Sequence, residues 1–292
     1  MSTKNKNSFK KASLKNPKLN SNKKSKKRPF DFSLLKFYKK DMIGEGAYSK
    51  VYKFRFGNGK GKVNDKYVVK KIKVLFLKKF YGEFADQEIV TLFNNELKAL
   101  IHLSKLGISP KIYGIYSDIY NNNLYYILER LDTTLGKMMR DKLFQIKHVD
   151  PFINLLRKML KTKYRHTDLH IENIMYDKKR NKFFLIDFGH HKKLTKKTTK
   201  GYFYTEDSEK EDFVLFDKTR GFENAILGTS GASAILYVYK FLVLRCLNNG
   251  NDKEALERLR KLKSFIKQFS SNKNYPKIIN TLNKGVGISK DS

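Results

Sequence analysis

Apolar residues recur along this chain with two different periods, and the change of period divides it. Apolar density rises from Phe30, and residues 48–56 (YSKVYKFRF) alternate with the period of two that marks a strand with one face inward. A turn-rich run, GNGKGKVNDK, separates this stretch from a second alternating one at 67–74, so the two predict a hairpin with glycines ahead of it. Next, Leu92, Phe93, Leu97, Leu100 and Ile101 fall at helical spacing, on a segment predicted to end near Gly107 and containing Glu96. Short strands are predicted at 111–116 and 124–129. Beyond Asp132 the helical period takes over at 152–164, 232–247 and 253–269, broken by paired short strands around 174–176 and 183–186. No internal repeat is visible. The pattern is that of an α+β chain, strand-rich first and helical second.

The ends of the chain read differently. Residues 1–28 hold eleven Lys or Arg and no acidic residue. Such a segment cannot bury enough apolar surface to offset its ordering entropy, so a disordered basic tail is expected over residues 1–30. Within it, KKSKKRP has the form of a nuclear-localisation or nucleic-acid patch, although basic clusters of this kind are common in Lys-rich tails. Residues 286–292 read as a short C-terminal tail.

Charge widens the list of partners without choosing among them. The 62 Lys and Arg against 28 Asp and Glu leave a formal charge of +34, enough to draw nucleic acid, acidic proteins or anionic lipid. A Lys-rich composition with no single basic face accounts for the surplus equally well. The one cysteine, Cys246, excludes an internal disulfide framework and a multi-thiolate zinc site, which fits an intracellular, reducing compartment, cytoplasmic or nuclear. The longest apolar stretch, 232–246, is too short to span a bilayer and carries Lys240 and Arg245, so no membrane span is expected.

Four short motifs carry candidate chemistry. GEGAYSKVY places Gly44 and Gly46 in a turn between strands, where bare backbone can approach phosphates and offer N–H donors; alone this is most often just a hairpin. In YVVKKI, Val68, Lys70 and Ile72 share one strand face while Val69 and Lys71 share the other, so Lys70 points inward with two apolar neighbours and needs a partner. Glu96 is the best candidate, Glu88 the second. HTDLHIEN puts Asp168 in a loop after a helix, able to orient or deprotonate an attacking hydroxyl, with Asn173 five residues on as a neutral oxygen donor to Mg2+. His166 and His170 in that run suggest a metal site, but no third strong ligand stands nearby, and His166 is expected to pack beneath the loop. Finally, Asp187 ends an apolar strand and is followed by Phe188 and Gly189, which lets the chain turn and brings a carboxylate to Mg2+.

Taken in order, these residues resemble the eukaryotic-like protein kinase superfamily over roughly residues 39–194. The resemblance implies a bilobal fold, with an N-lobe at 31–131 and a reduced helical C-lobe at 132–285. It also implies ATP and Mg2+ as cofactors. Gly44, Glu45, Gly46, Ala47, Tyr48, Ser49 and Val51 would form the loop that covers the phosphates. Lys70 would anchor them with Glu96 as its partner, and Leu128 would be the gatekeeper before an adenine-binding hinge from Glu129 to Leu131. Asp168 would be the catalytic base, with Asn173 and Asp187 as magnesium ligands.

The departures bear on the acceptor. Thr167 replaces the arginine usual before the catalytic aspartate, so a switch based on phosphorylation of the activation loop is not expected, although Thr205 and Ser208 in TEDSEKED stand as candidate autophosphorylation sites. His170 stands where serine/threonine kinases usually carry lysine, and HTDLHIEN is similar to the run found in KEOPS-complex, RIO, aminoglycoside and choline kinases. No Ala-Pro-Glu element follows Gly189. The Lys- and Asn-rich composition with a basic tail is similar to compact kinases of large DNA viruses, which implies a host cell or a virion. The leading expectation is a serine/threonine kinase acting on acidic or nucleic-acid-associated proteins, with nonspecific nucleic-acid contact through the tail. The alternatives are a small-molecule kinase and a noncatalytic nucleic-acid-binding pseudokinase.

Overall fold

The structure, a computed structural model, describes residues 38–46, 49–55, 63–73, 85–118, 123–166, 169–188, 191–193, 233–248, 252–269 and 275–287. The basic tail and the hydroxyls of Thr205 and Ser208 lie outside the described residues, as does the side chain of Glu88.

Alternating residues in the first part build one antiparallel sheet. Its strands are β1 (Met42–Glu45), β2 (Ser49–Arg55), β3 (Val63–Lys73), β4 (Ile112–Asp118) and β5 (Asn123–Glu129), in the order β1-β2-β3-β5-β4. A long helix, α1 (Ala85–Lys105), is inserted between β3 and β4. Register sets Val68 beside Leu128, Lys70 beside Tyr126 and Ile72 beside Leu124. Because successive side chains alternate, this face meets α1, and Val68, Ile72, Tyr126 and Leu128 join the main core.

On α1, Glu96, Ala99, Leu100 and Leu103 form the buried stripe. Ile101, expected on that face, is 40% exposed. At about 100° per residue, position 101 falls well to the side of the stripe and position 103 falls within it. The helix stops where expected: Gly107 takes φ +65, and the Ile108 N–H returns to the Leu103 carbonyl at 3.0 Å.

The opposite sheet face is buried as well. Phe54, Val69, Tyr125 and Ile127 form a second, separate apolar cluster flanked by Tyr67 and Tyr116. Alternation assigned residues to two faces, yet burial is not confined to one of them.

The second part is helical, with α2 (Leu135–Arg140), α3 (Val149–Leu160), α4 (Ser233–Asn248), α5 (Lys253–Phe269) and α6 (Tyr275–Val286). Three short strand pairings lie among them: β6 (Thr133–Thr134) with β8 (Ile174–Asp177), β8 with β9 (Lys182–Leu185), and β7 (Tyr164–His166) with β10 (His191–Lys193). α3 buries Val149, Phe152, Ile153, Leu156, Met159 and Leu160 at helical spacing, and α4 is apolar almost all round. α3 ends four residues before the expected Tyr164, because the Thr162 hydroxyl donates to the Met159 carbonyl and accepts the Tyr164 N–H, which turns the chain into β7. α6 escaped the pattern: its fully buried apolar residues are Ile278 and Leu282, in a polar sequence that starts with Pro276 in the first turn.

A main-chain bond joins the two parts: the Leu185 N–H reaches the Ile108 carbonyl at 2.8 Å. The architecture is therefore α+β, a strand-rich sheet with one helix joined to a helical part, and no described helix is long and apolar enough to cross a membrane.

Candidate active site

Lys70 lies at the junction of the two parts. β3 places it on the inner face and α1 brings Glu96 opposite, so its Nζ lies 2.8 Å from Glu96 Oε1. The same ammonium is 3.3 Å from Asp187 Oδ1, which belongs to the helical part. Lys70 is 9% exposed and Glu96 4%, so this pair is shielded from solvent, while the Asp187 side chain stays 54% exposed. Burial alone would pull the Lys70 pKa down; the two carboxylates outweigh it and hold the ammonium above the ordinary lysine range. The result is a fixed positive charge that spans both parts.

Asp187 and Asn173 are brought together by the β8–β9 pairing. The Ile186 N–H donates to the Asn173 carbonyl at 3.0 Å, one residue before Asp187, and Asn173 is buried. Asp187 takes φ 60, a left-handed conformation that costs energy outside glycine and that aspartate tolerates better than most residues. The next residue explains how it is held: Phe188 is fully buried, its ring packed edge-on to His166 at 4.9 Å. Nε2 of His166 in turn lies 2.7 Å from the Ile186 carbonyl. The histidine packs beneath the loop, as expected.

β7 leads into Thr167 and Asp168, and β10 runs back beside it, pairing His191 with His166. Thr167 and Asp168 themselves lie outside the described residues, as do Ala47 and Tyr48.

The glycine loop connects β1 to β2, and the Gly46 N–H closes it on the Ser49 carbonyl at 2.8 Å. Glu45 faces Lys50 at 3.1 Å, and Val51 sits beside Gly44 on the facing strand. A Cβ added at Gly44 would meet Val51 at 3.7 Å, and one at Gly46 would meet Ser49 Oγ at 3.8 Å, both ordinary contacts. Neither glycine takes a positive φ. Nothing inside the described fold therefore demands glycine at these positions.

After β5 the chain crosses from one part to the other at Glu129, Arg130 and Leu131. The Glu129 side chain turns aside to Arg180 at 3.1 Å and to the Lys111 N–H at 3.2 Å, and the Glu129 N–H donates to the Lys111 carbonyl at 2.8 Å, so neither its carboxylate nor its N–H is open to a ligand in the cleft. Leu131 is buried, and among the described residues nothing bonds to its main-chain N–H or C=O. An unused donor and acceptor on one residue match the edge of a purine base. Asn173 and Asp187 offer the neutral and anionic oxygens that Mg2+ prefers, so the residues present fit both a nucleotide and its metal.

Two contacts were not read from the sequence patterns. Arg180, in the β8–β9 turn, joins Glu129 to Asp177 and stacks over Phe184 at 4.5 Å. Glu172, beside Asn173, bonds Thr134 and Arg140. The one signal for the second was a glycine, Gly136, early in a helix where alanine would serve better.

A family model for the protein kinase domain matches residues 37–210, more than half of the chain. No curated protein matches it.

Proposed function

The chain belongs to the protein kinase family, and from that premise we propose that it transfers the γ-phosphoryl group of ATP to serine or threonine hydroxyls of acidic or nucleic-acid-associated proteins. The observation that carries this reading is Lys70, whose ammonium bridges Glu96 in one part and Asp187 in the other. A cation fixed in that position, with low exposure, attracts phosphate far more strongly than the same cation in water. On this reading the N-lobe is residues 31–131, the C-lobe is 132–285, and the nucleotide lies between them.

Each candidate residue then has one task. Lys70, oriented by Glu96, draws the α and β phosphates. Gly44 and Gly46 keep the covering loop bare, so that the main chain from Glu45 through Ala47, Tyr48, Ser49 and Val51 can close over the phosphates. The main-chain carbonyl of Glu129 and the main chain of Leu131 receive the base. Asp168 orients the acceptor hydroxyl and takes its proton. Asn173 and Asp187 would hold Mg2+, which supplies neutralising charge to the phosphates when bound.

The acidic acceptor is inferred from charge: a chain with 62 Lys and Arg against 28 Asp and Glu gathers anionic partners. A second reading, transfer to a small molecule, draws on His170. Its Nδ1 accepts the Glu172 N–H at 3.1 Å, so a histidine ring engaged by its own loop occupies the place where serine/threonine kinases usually carry lysine.

Incubation with γ-labelled ATP, Mg2+ and an acidic protein such as casein should label protein, and Asp168→Ala should abolish it. Label found on an added amino alcohol or aminoglycoside, and never on protein, would replace the first reading by the second. Label unchanged in Asp168→Ala would remove both.

A further inference from the structure

The turn Ile171–Asn173 carries one acidic side chain, and the structure shows a seat built for it. Glu172 Oε2 accepts the Thr134 hydroxyl at 2.7 Å, and Oε1 pairs with Arg140. Thr134 is itself fixed, because its Oγ1 accepts the Lys137 N–H at 3.0 Å and so caps α2. Between these two partners lies Gly136. A Cβ there would stand 2.1 Å from Glu172 Oε1, closer than any atom can approach, so glycine at 136 is what admits the carboxylate. Glycine is the poorest helix former after proline, and α2 carries it in its first turn.

The other side of Glu172 faces the loop. Its N–H donates to His170 Nδ1 at 3.1 Å, and the next N–H, that of Asn173, donates to the His170 carbonyl at 3.0 Å. The half-exposed carboxylate is thus bonded at both oxygens.

We propose that Glu172 is a positioning residue for phosphoryl transfer: seated over Gly136, it latches residues 169–173, which follow Asp168 in the chain, onto α2 and fixes the orientation of Asn173. The latch rests on the phosphotransferase reading above. Misplacement of a reacting group by an ångström costs up to about a hundredfold in rate, so a loosened latch acts on turnover more than on nucleotide binding.

Gly136→Ala tests this without altering the loop, since the methyl group would evict the carboxylate. The full chain is assayed with labelled ATP and casein, and amide hydrogen exchange is followed over residues 169–174. Gly136→Ala and Glu172→Ala are each expected to lower kcat about tenfold to a hundredfold, with KM for ATP within about twofold, and to speed exchange in the loop. The double variant should be no slower than either single one, because both remove the same contact. Glu172→Gln, which keeps an acceptor for Thr134, should recover most of the rate, and Arg140→Gln should lose less than Glu172→Ala. Additive losses in the double variant, or wild-type kcat and exchange in Gly136→Ala, would overturn the latch alone. A wild-type chain that binds ATP and transfers no phosphate to any acceptor would overturn the reading beneath it, whatever the exchange shows.

Discussion

Two neighbouring residues on β3, Val69 and Lys70, point to opposite faces of the same sheet, and those faces differ in kind. Val69 joins Phe54, Tyr125 and Ile127 in a cluster without a charge. Lys70 sits among Val68, Ile72 and Tyr126, yet carries an ammonium held by two carboxylates from outside the sheet. Burial is nearly equal on the two sides, with Val69 1% exposed and Lys70 9%. The difference lies in what each face can do. An apolar cluster returns its burial directly as stability, whereas a buried ion pair roughly breaks even against desolvation and is better explained by its use.

Substitution at Lys70 should break the contrast most sharply. Lys70→Met is expected to lower phosphate transfer by about a hundredfold to a thousandfold, the range for losing one fixed electrostatic contact to a transition state, as read by labelled product. Transfer within twofold of wild type would show that the bridge between Glu96 and Asp187 has no catalytic role.

On the other face the effect should be on stability alone. Ile127→Ala removes buried methyl groups from the outer cluster and should cost about 2–5 kcal/mol in urea unfolding, with kcat per folded molecule unchanged. A loss of kcat without a loss of stability would mean that the two faces are coupled through the strand.

Alkaline titration sharpens the comparison, because the inner face holds the ammonium whose pKa its two carboxylate partners raise. The unfolded chain releases the Lys70 proton near pH 10.5, while the folded chain holds it to higher pH. The stabilisation from the bridge is therefore complete below that pH and is lost as pH rises beyond it. Lys70→Met should have a shallower alkaline limb than wild type, by at most one proton's slope of about 1.4 kcal/mol per pH unit, whereas Ile127→Ala should run parallel to wild type. Three parallel limbs would contradict the raised pKa.

The smallest expected effect concerns Tyr126, beside Lys70. Its hydroxyl is fully buried and has no hydrogen-bond partner among the described residues, while burial and the Glu96 charge push its pKa up. Tyr126→Phe removes a polar group that nothing satisfies, so stability should stay level or rise by up to about 1 kcal/mol. A clear destabilisation would reveal a partner, most simply a buried water.

Much of this was legible along the chain because strand and helix periods are local properties. The alternation through Val68, Lys70 and Ile72 fixed which way the lysine points, and helical spacing on α1 put Glu96 on the same stripe as Leu100. The order of the four motifs foretold the family. Reading stopped where a side chain's partner is distant and its own segment has no periodic signature. Glu129 turns away from the cleft only because Arg180 arrives from the β8–β9 turn.

By itself, then, the sequence determined the α+β division, the inward direction of Lys70, the turn at Gly107 and the spacing that sets Asp187 one hairpin beyond Asn173. Each of these depends on backbone geometry repeated over a few residues. Tertiary structure alone decided that Lys70 would share its charge between Glu96 and Asp187, and that Gly136 would stand bare beneath Glu172. Those contacts join residues from separate elements, and their geometry exists only once the elements have packed.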